Sequence, residues 1–139
     1  MSVFVVIDTN VLVSALLSKH SDAATVQIVD RLYRGEIVPL ISEKIMAEYD
    51  EVLHRPKFRF PRELVRRLLE AIRQNGVDIE PVITGEMLPD PKDLVFYEVA
   101  MTKQDEDAYL VTGNIKHFPV KTFIVTPNEM LDILKNCTM

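Results

Sequence analysis

The sequence predicts an α/β fold, a central parallel sheet with helices on both faces, and three observations carry that reading. Short apolar runs rich in β-branched residues, at 3–7, 37–41, 109–112 and 122–125, have the composition of buried parallel strands. Segments of helical periodicity alternate with them, which is the pattern of strand–helix–strand units. The 139 residues, 47% hydrophobic and 27% charged, suit one globular domain over 1–139, and no internal repeat, low-complexity tract or linker divides them.

Val3–Ile7 is the first strand, and Asp8 interrupts the apolar stretch "VFVVIDTNVLVSALL" just beyond it. Asp8, Thr9 and Asn10 are all good N-cap residues, so one of them can start the next helix and two are spare. Ligands of open α/β sheets bind beyond the carboxyl ends of strands, where Asp8 stands. Residues 22–34 place Ala23, Val26, Val29 and Tyr33 at helical spacing, with Gly35 as the stop. After the strand Ile37–Ile41, the segment "ISEKIMAEYDEVL" (41–53) takes Ser42 as N-cap and carries an apolar stripe of Ile45, Met46, Tyr49, Val52 and Leu53. Glu48 and Asp50 lie about 100° to either side of that stripe, so periodicity does not choose between them, and Glu51 lies opposite it. Taken singly, each of these acids is also what a solvated helix face carries.

The next helical pattern, 62–74, uses Leu64, Val65, Leu68, Leu69 and Ile72 and ends at Gly76. In "LPDPKDLVFYEVA" (88–100), Asp90 and Pro91 fit N-cap and N1. Asp93 then falls at N3, where it complements the helix dipole or is available for chemistry. The strand 109–112 ends in the polar turn Thr112, Gly113, Asn114. Following the strand 122–125, "TPNEMLDIL" opens as a capping box with Thr126 at N-cap, Pro127 at N1 and Glu129 at N3.

Composition excludes several classes. The longest apolar runs fall far short of the roughly 20 residues that span a bilayer, and Asp8 together with the absence of an N-terminal basic segment speaks against a signal peptide. The single cysteine, Cys137, has no internal disulfide partner and reads as a bystander thiol, so a cytoplasmic location is expected. A formal net charge of −5 argues against coating nucleic acid by bulk attraction and leaves room for a local basic patch.

Four segments, "VIDTNVLVSALL", "ISEKIMAEYDEVLHRPKF", "DPKD" and "LVTGNIKHFP", in this order and spacing resemble the PIN domain, in particular its bacterial branch of toxin components of toxin–antitoxin systems. The resemblance runs from Val3 to Thr126. It implies a three-layer α/β/α sandwich with an acidic cleft holding Mg²⁺ or Mn²⁺, and a metal-dependent ribonuclease that hydrolyses RNA phosphodiester bonds. Asp8, Glu48 and Asp93 match the family's catalytic and metal-binding acids, which decides for Glu48 over Asp50. Asn10, Asp90, Thr112 and Asn114 are supporting positions. Many members carry Asp where this chain has Asn114; an amide oxygen can ligate weakly but adds no negative charge. Asp107 precedes the strand and does not match that position.

The chemistry agrees with this grouping. Three carboxylates brought together repel one another, and a divalent cation with oxygen ligands removes the conflict. It can also polarise a phosphate and activate water, so no protein nucleophile is needed. His20, His54 and His117 show no metal-ligand spacing and read as surface residues. Between 54 and 67, "HRPKFRFPRELVRR" sets Arg55, Lys57, Arg59, Arg62, Arg66 and Arg67 against Glu63 alone, with Phe58 and Phe60 interleaved. Arg55, Lys57 and Arg59 are the candidate RNA contacts, with the phenylalanines able to stack bases or to tuck into the core. The same patch could receive a cognate antitoxin. Expected partners are thus an RNA substrate and an antitoxin, with a homodimer compatible and no membrane. The alternative is a PIN-like RNA-binding or scaffold domain too weak for turnover because Asn114 replaces an acid. A phosphoacceptor receiver would need paired acids after the first strand, and a haloacid-dehalogenase-type phosphatase would need Asp where Asn10 stands.

Overall fold

The computed structural model describes residues 2–137, the side chain of Cys137 excepted, so the reading of that thiol lies outside the described residues. Five strands, β1 (Val3–Ile7), β2 (Ile37–Ile41), β3 (Val77–Asp78), β4 (Tyr109–Val111) and β5 (Ile124–Val125), form one sheet in the order β3-β2-β1-β4-β5. Every neighbouring pair is parallel. The helices are α1 (Thr9–Leu17), α2 (Ala24–Tyr33), α3 (Glu43–Leu53), α4 (Arg62–Asn75), α5 (Leu94–Thr102) and α6 (Pro127–Cys137). On one side α2 and α4 lie against β2 and α6 against α2, while α5 packs on β1, β2 and β4. This is the expected α/β/α sandwich.

Strand order places the site. The chain moves outward from β1 to β2 and β3, then crosses back along α5 to add β4 on the other side of β1. Right-handed crossovers put those two sets of connections on opposite faces. The point beyond the carboxyl ends of β1 and β4, where these connections diverge, is where ligands of such sheets bind. β1 is the central strand, and its last three residues, Val5, Val6 and Ile7, are fully or almost fully buried.

Local chemistry sets most element ends. The Ser42 hydroxyl accepts from the N–H of Ile45 at 3.2 Å. Thr126 and Glu129 make the reciprocal capping box: the Thr126 N–H donates to Glu129 Oε1 at 2.8 Å and the Glu129 N–H to Thr126 Oγ1 at 3.2 Å. Gly35, at φ +76°, supplies the left-handed turn after α2.

Three elements differ from the sequence reading. β3 carries no strand signal, being two exposed residues held by backbone pairing to Leu40 and Ile41. Asp90 caps a tight turn rather than the helix itself: Pro91–Asp93 is a 3₁₀ turn in which Asp93 N–H reaches back to the Asp90 carbonyl at 3.0 Å. α5 therefore begins at Leu94, with Asp93 at its N-cap instead of N3. Gly76 follows α4 in an extended conformation, so its role is close approach and not a left-handed turn.

A Cβ on Gly76 would stand 2.5 Å from the Ile72 carbonyl oxygen and 2.9 Å from that of Pro39. Both obstacles are backbone and neither can rotate away. Gly76→Ala is expected to cost about 1–3 kcal/mol, read as a lower urea midpoint with unchanged slope. An unchanged midpoint would show that α4 and β2 separate more freely than their packing indicates.

Candidate active site

Asp8 follows the last residue of β1 and sits at the N-cap position of α1, yet its side chain makes no capping bond. Its backbone is tied to the neighbouring strand, the N–H donating to the Val111 carbonyl at 3.0 Å. The carboxylate, 5% exposed, accepts instead from the hydroxyl of Thr112, fully buried at the end of β4, at 2.7 Å. Thr112 Oγ1 in turn accepts from the Asn114 N–H at 2.9 Å, and Asn10 Oδ1 accepts from Gly113 N–H at 3.4 Å. The two polar turns at the switch point are thereby joined. Burial raises the Asp8 pKa above the usual carboxylate range, opposed first by the Thr112 hydroxyl, then by the N–H groups of Thr9 and Asn10 and by His117.

α3 is fixed to the same strand end by Tyr49. This ring is fully buried and its hydroxyl donates to the Ile7 carbonyl at 2.5 Å, the residue before Asp8. It also meets Phe96 of α5, centroids 6.0 Å apart. With Tyr49 facing inward, the preceding residue Glu48 is half-buried on the wall of a cleft of about 620 Å³, which Ser42, Pro91, Lys92, Leu94 and Ile83 also line. Burial raises the Glu48 pKa; Lys92 opposes the rise and Glu51 adds to it. Asp50 is exposed and its carboxylate lies 3.3 Å from His54.

Asp93 comes from the turn before α5 and is largely covered, its Oδ2 lying 3.4 Å from His117 Nδ1. Its pKa is pushed up to about 6, first by burial and then by the charges of Asp8 and Asp90, with His117 opposing. Asp8 and Asp93 thus share one electrostatic neighbourhood. Asp90 spends one oxygen on the Lys92 N–H at 3.0 Å. Asn114 is exposed on the following turn, and Asp107 stands before β4.

The donors are all oxygens of carboxylate, amide and hydroxyl, the chemistry of a hard cation such as Mg²⁺ or Mn²⁺. The paired elevation of Asp8 and Asp93 is the stress that a dication would relieve. Among the described residues, however, no three His, Cys, Asp or Glu side chains stand as a ready-made metal group. Asp8 and Asp93 interact electrostatically, whereas the charges that act on Glu48 are those of Lys92, Glu51 and Arg55. Periodicity could not signal Tyr49's bond to Ile7, and a lone histidine gives no sequence signal for the pairing of His117 with Asp93.

The basic run is less free than its composition suggests. Arg55 makes two hydrogen bonds to Glu51, at 2.9 and 3.1 Å, and Arg66 and Arg67 pair with Glu63, Arg66 also with Glu70. Phe58 and Phe60 stack on each other at 5.2 Å, half-buried, with the Lys57 ammonium 5.1 Å from the Phe58 ring. Lys57, Arg59 and Arg62 remain exposed.

An all-parallel sheet with carboxylates gathered where its strand order reverses defines a class of α/β domains whose chemistry sits at the switch point. A family model for the PIN domain matches residues 4–116, and the chain belongs to that family. PIN domains are in general metal-dependent nucleases. No curated protein and no solved structure matches the chain. No helix among the described residues is long and apolar enough to cross a membrane.

Asp93 gives a pH signature. A carboxyl whose folded pKa is raised holds its proton better folded than unfolded, so its contribution is most favourable when protonated and declines as pH rises from the ordinary 3.8 through about 6. In chelator, Asp93→Asn should therefore melt higher than the parent above that window and lose the advantage below it. A variant that melts lower at every pH would show that the carboxylate is stabilised where it stands.

Proposed function

We propose that this chain is a metal-dependent endoribonuclease that hydrolyses RNA phosphodiester bonds, and that it acts in the cytoplasm as the toxin of a toxin–antitoxin pair. The observation that carries the nuclease reading is the burial of Asp8 beside Asp93 at the switch point, two carboxylates whose mutual repulsion calls for a cation. The toxin role and its antitoxin partner rest on the sequence resemblance.

Asp8, Asp93 and Glu48 would hold Mg²⁺ or Mn²⁺, with the Asn114 amide as a neutral fourth position. When bound, the cation supplies Lewis acidity to the scissile phosphate and lowers the pKa of water. The protein's part is positional. Thr112 fixes the Asp8 carboxylate in one orientation through its 2.7 Å bond. Tyr49 and Phe96 fix the helices that carry Glu48 and lead from Asp93. Lys92 beside Glu48 offers a cation to a substrate phosphate in the cleft. Lys57 and Arg59, exposed beyond α3, extend a path for the RNA backbone, with Arg55 contributing less because Glu51 engages it.

A second reading, RNA binding or scaffolding without turnover, is favoured by the lack of a ready-made three-ligand group among the described residues. One experiment separates the two. Purified protein should cleave single-stranded RNA with Mn²⁺ or Mg²⁺ and stop in chelator, and Asp8→Asn should slow cleavage by about a hundredfold or more. Mn²⁺ should also raise the melting temperature of the parent and not of Asp8→Asn. RNA bound but uncleaved would support the second reading, and an equal Mn²⁺ shift in both proteins would move the metal away from Asp8.

A further inference from the structure

Asp8 and Asp93 occupy the N-cap positions of α1 and α5, and neither side chain caps its helix. Asp is a good capping residue, so each carboxylate gives up a bond that its position offers. One turn of the chain reaches both of them. Thr112, just after β4, donates its hydroxyl to Asp8 Oδ2 at 2.7 Å and accepts from the Asn114 N–H at 2.9 Å. The Asn114 carbonyl then accepts from the His117 N–H at 2.9 Å, closing the 3₁₀ turn Ile115–His117. Ile115 packs on the core and the next residue, Phe118, is buried, so the turn is anchored on both sides of His117. The imidazole is thereby set against Asp93, with Nδ1 3.4 Å from Oδ2.

Among the described residues the Asp93 carboxylate makes no other hydrogen bond or ion pair. It is also only 15% exposed, so water does little to hold it, and the charge of Asp8 acts on it. A carboxylate in that position, left without a partner, turns away from the like charge. We propose that His117 is a positioning residue for Asp93: its Nδ1–H engages Oδ2 and leaves the other oxygen to the cation that Asp8 also ligates. Carboxylates that bind metals are commonly fixed by an outer partner of this kind. The role needs a donor at Nδ1, which one tautomer of the neutral ring carries, and no change of charge. Thr112 and His117 thus perform the same task for two acids from the two ends of one turn. This inference rests on the reading of Asp8 and Asp93 as divalent-cation ligands.

His117→Ala removes the ring, His117→Asn keeps an N–H donor as far from the backbone as Nδ1, and His117→Gln moves the donor to the place of Nε2. Calorimetric titration with Mn²⁺ and urea melts in chelator are made on the parent and all three variants. The Mn²⁺ affinity of His117→Ala should fall by about tenfold, the usual effect of losing a partner that orients a ligand. His117→Asn should keep most of the parent's affinity and His117→Gln should not. The side chain is half-exposed, so the urea midpoints should stay close to that of the parent. Equal Mn²⁺ affinity in the parent and His117→Ala would overturn the inference, as would a His117→Asn variant as weak as His117→Ala. A loss of affinity matched by an equal loss of folding stability in every variant would also overturn it, since the ring would then serve packing alone. Failure of the parent itself to bind Mn²⁺ would overturn the cation-site reading beneath it, an outcome distinct from these.

Discussion

The Asp8 carboxylate is buried at the end of the central strand and accepts from the Thr112 hydroxyl, and the surrounding structure is arranged around that charge. Removing an ionised carboxylate from water costs several kcal/mol even after relaxation. A hydrogen bond to a charged group returns about 1.5–3 kcal/mol. The deficit appears as raised proton affinity at Asp8 and again at Asp93, which feels both its own burial and the charge of Asp8. A site in this condition is electrostatically incomplete, and a dication would supply what the protein groups do not.

Holding the acids in place requires rigid elements from three parts of the chain. Tyr49 does much of this, because one buried ring bonds the carbonyl of Ile7, packs on Phe96 and so ties β1, α3 and α5 together at their active ends. Its burial between Asp8 and Glu48 pushes its own pKa upward, so the phenol stays protonated and remains a donor. By contrast the ion pairs of α4, Arg66 and Arg67 with Glu63 and Glu70, are exposed, add little to stability and neutralise part of the basic run.

What could be read from the sequence was whatever local chemistry encodes. β1, β2 and β4 announce themselves by apolar β-branched runs, and Ser42, Thr126 and Glu129 cap as their types and spacing require. β3 is held by partners some 37 residues away, Leu40 with Val77, and its own two residues are exposed, so no pattern marks it. The bond between Asp8 and Thr112 spans 104 positions and follows only from the parallel pairing of β1 with β4. Glu48 and Asp50 are equivalent by periodicity; the fold distinguishes them, leaving Glu48 half-buried and Asp50 exposed beside His54. The six cations between 55 and 67 looked nearly unopposed in sequence because Glu51 and Glu70, which engage Arg55 and Arg66, lie just outside that run.

Paramagnetic broadening of backbone amide resonances by substoichiometric Mn²⁺ bears most directly on whether this edge of the sheet is a cation site. Broadening should be strongest at Asp8–Asn10, at Glu48, at Asp93 and at Thr112–Asn114, and fade with distance from the carboxyl ends of β1 and β4. Broadening centred instead on the separate cleft around Glu43, Asp50 and Asp78, or spread evenly over the acidic surface, would contradict it.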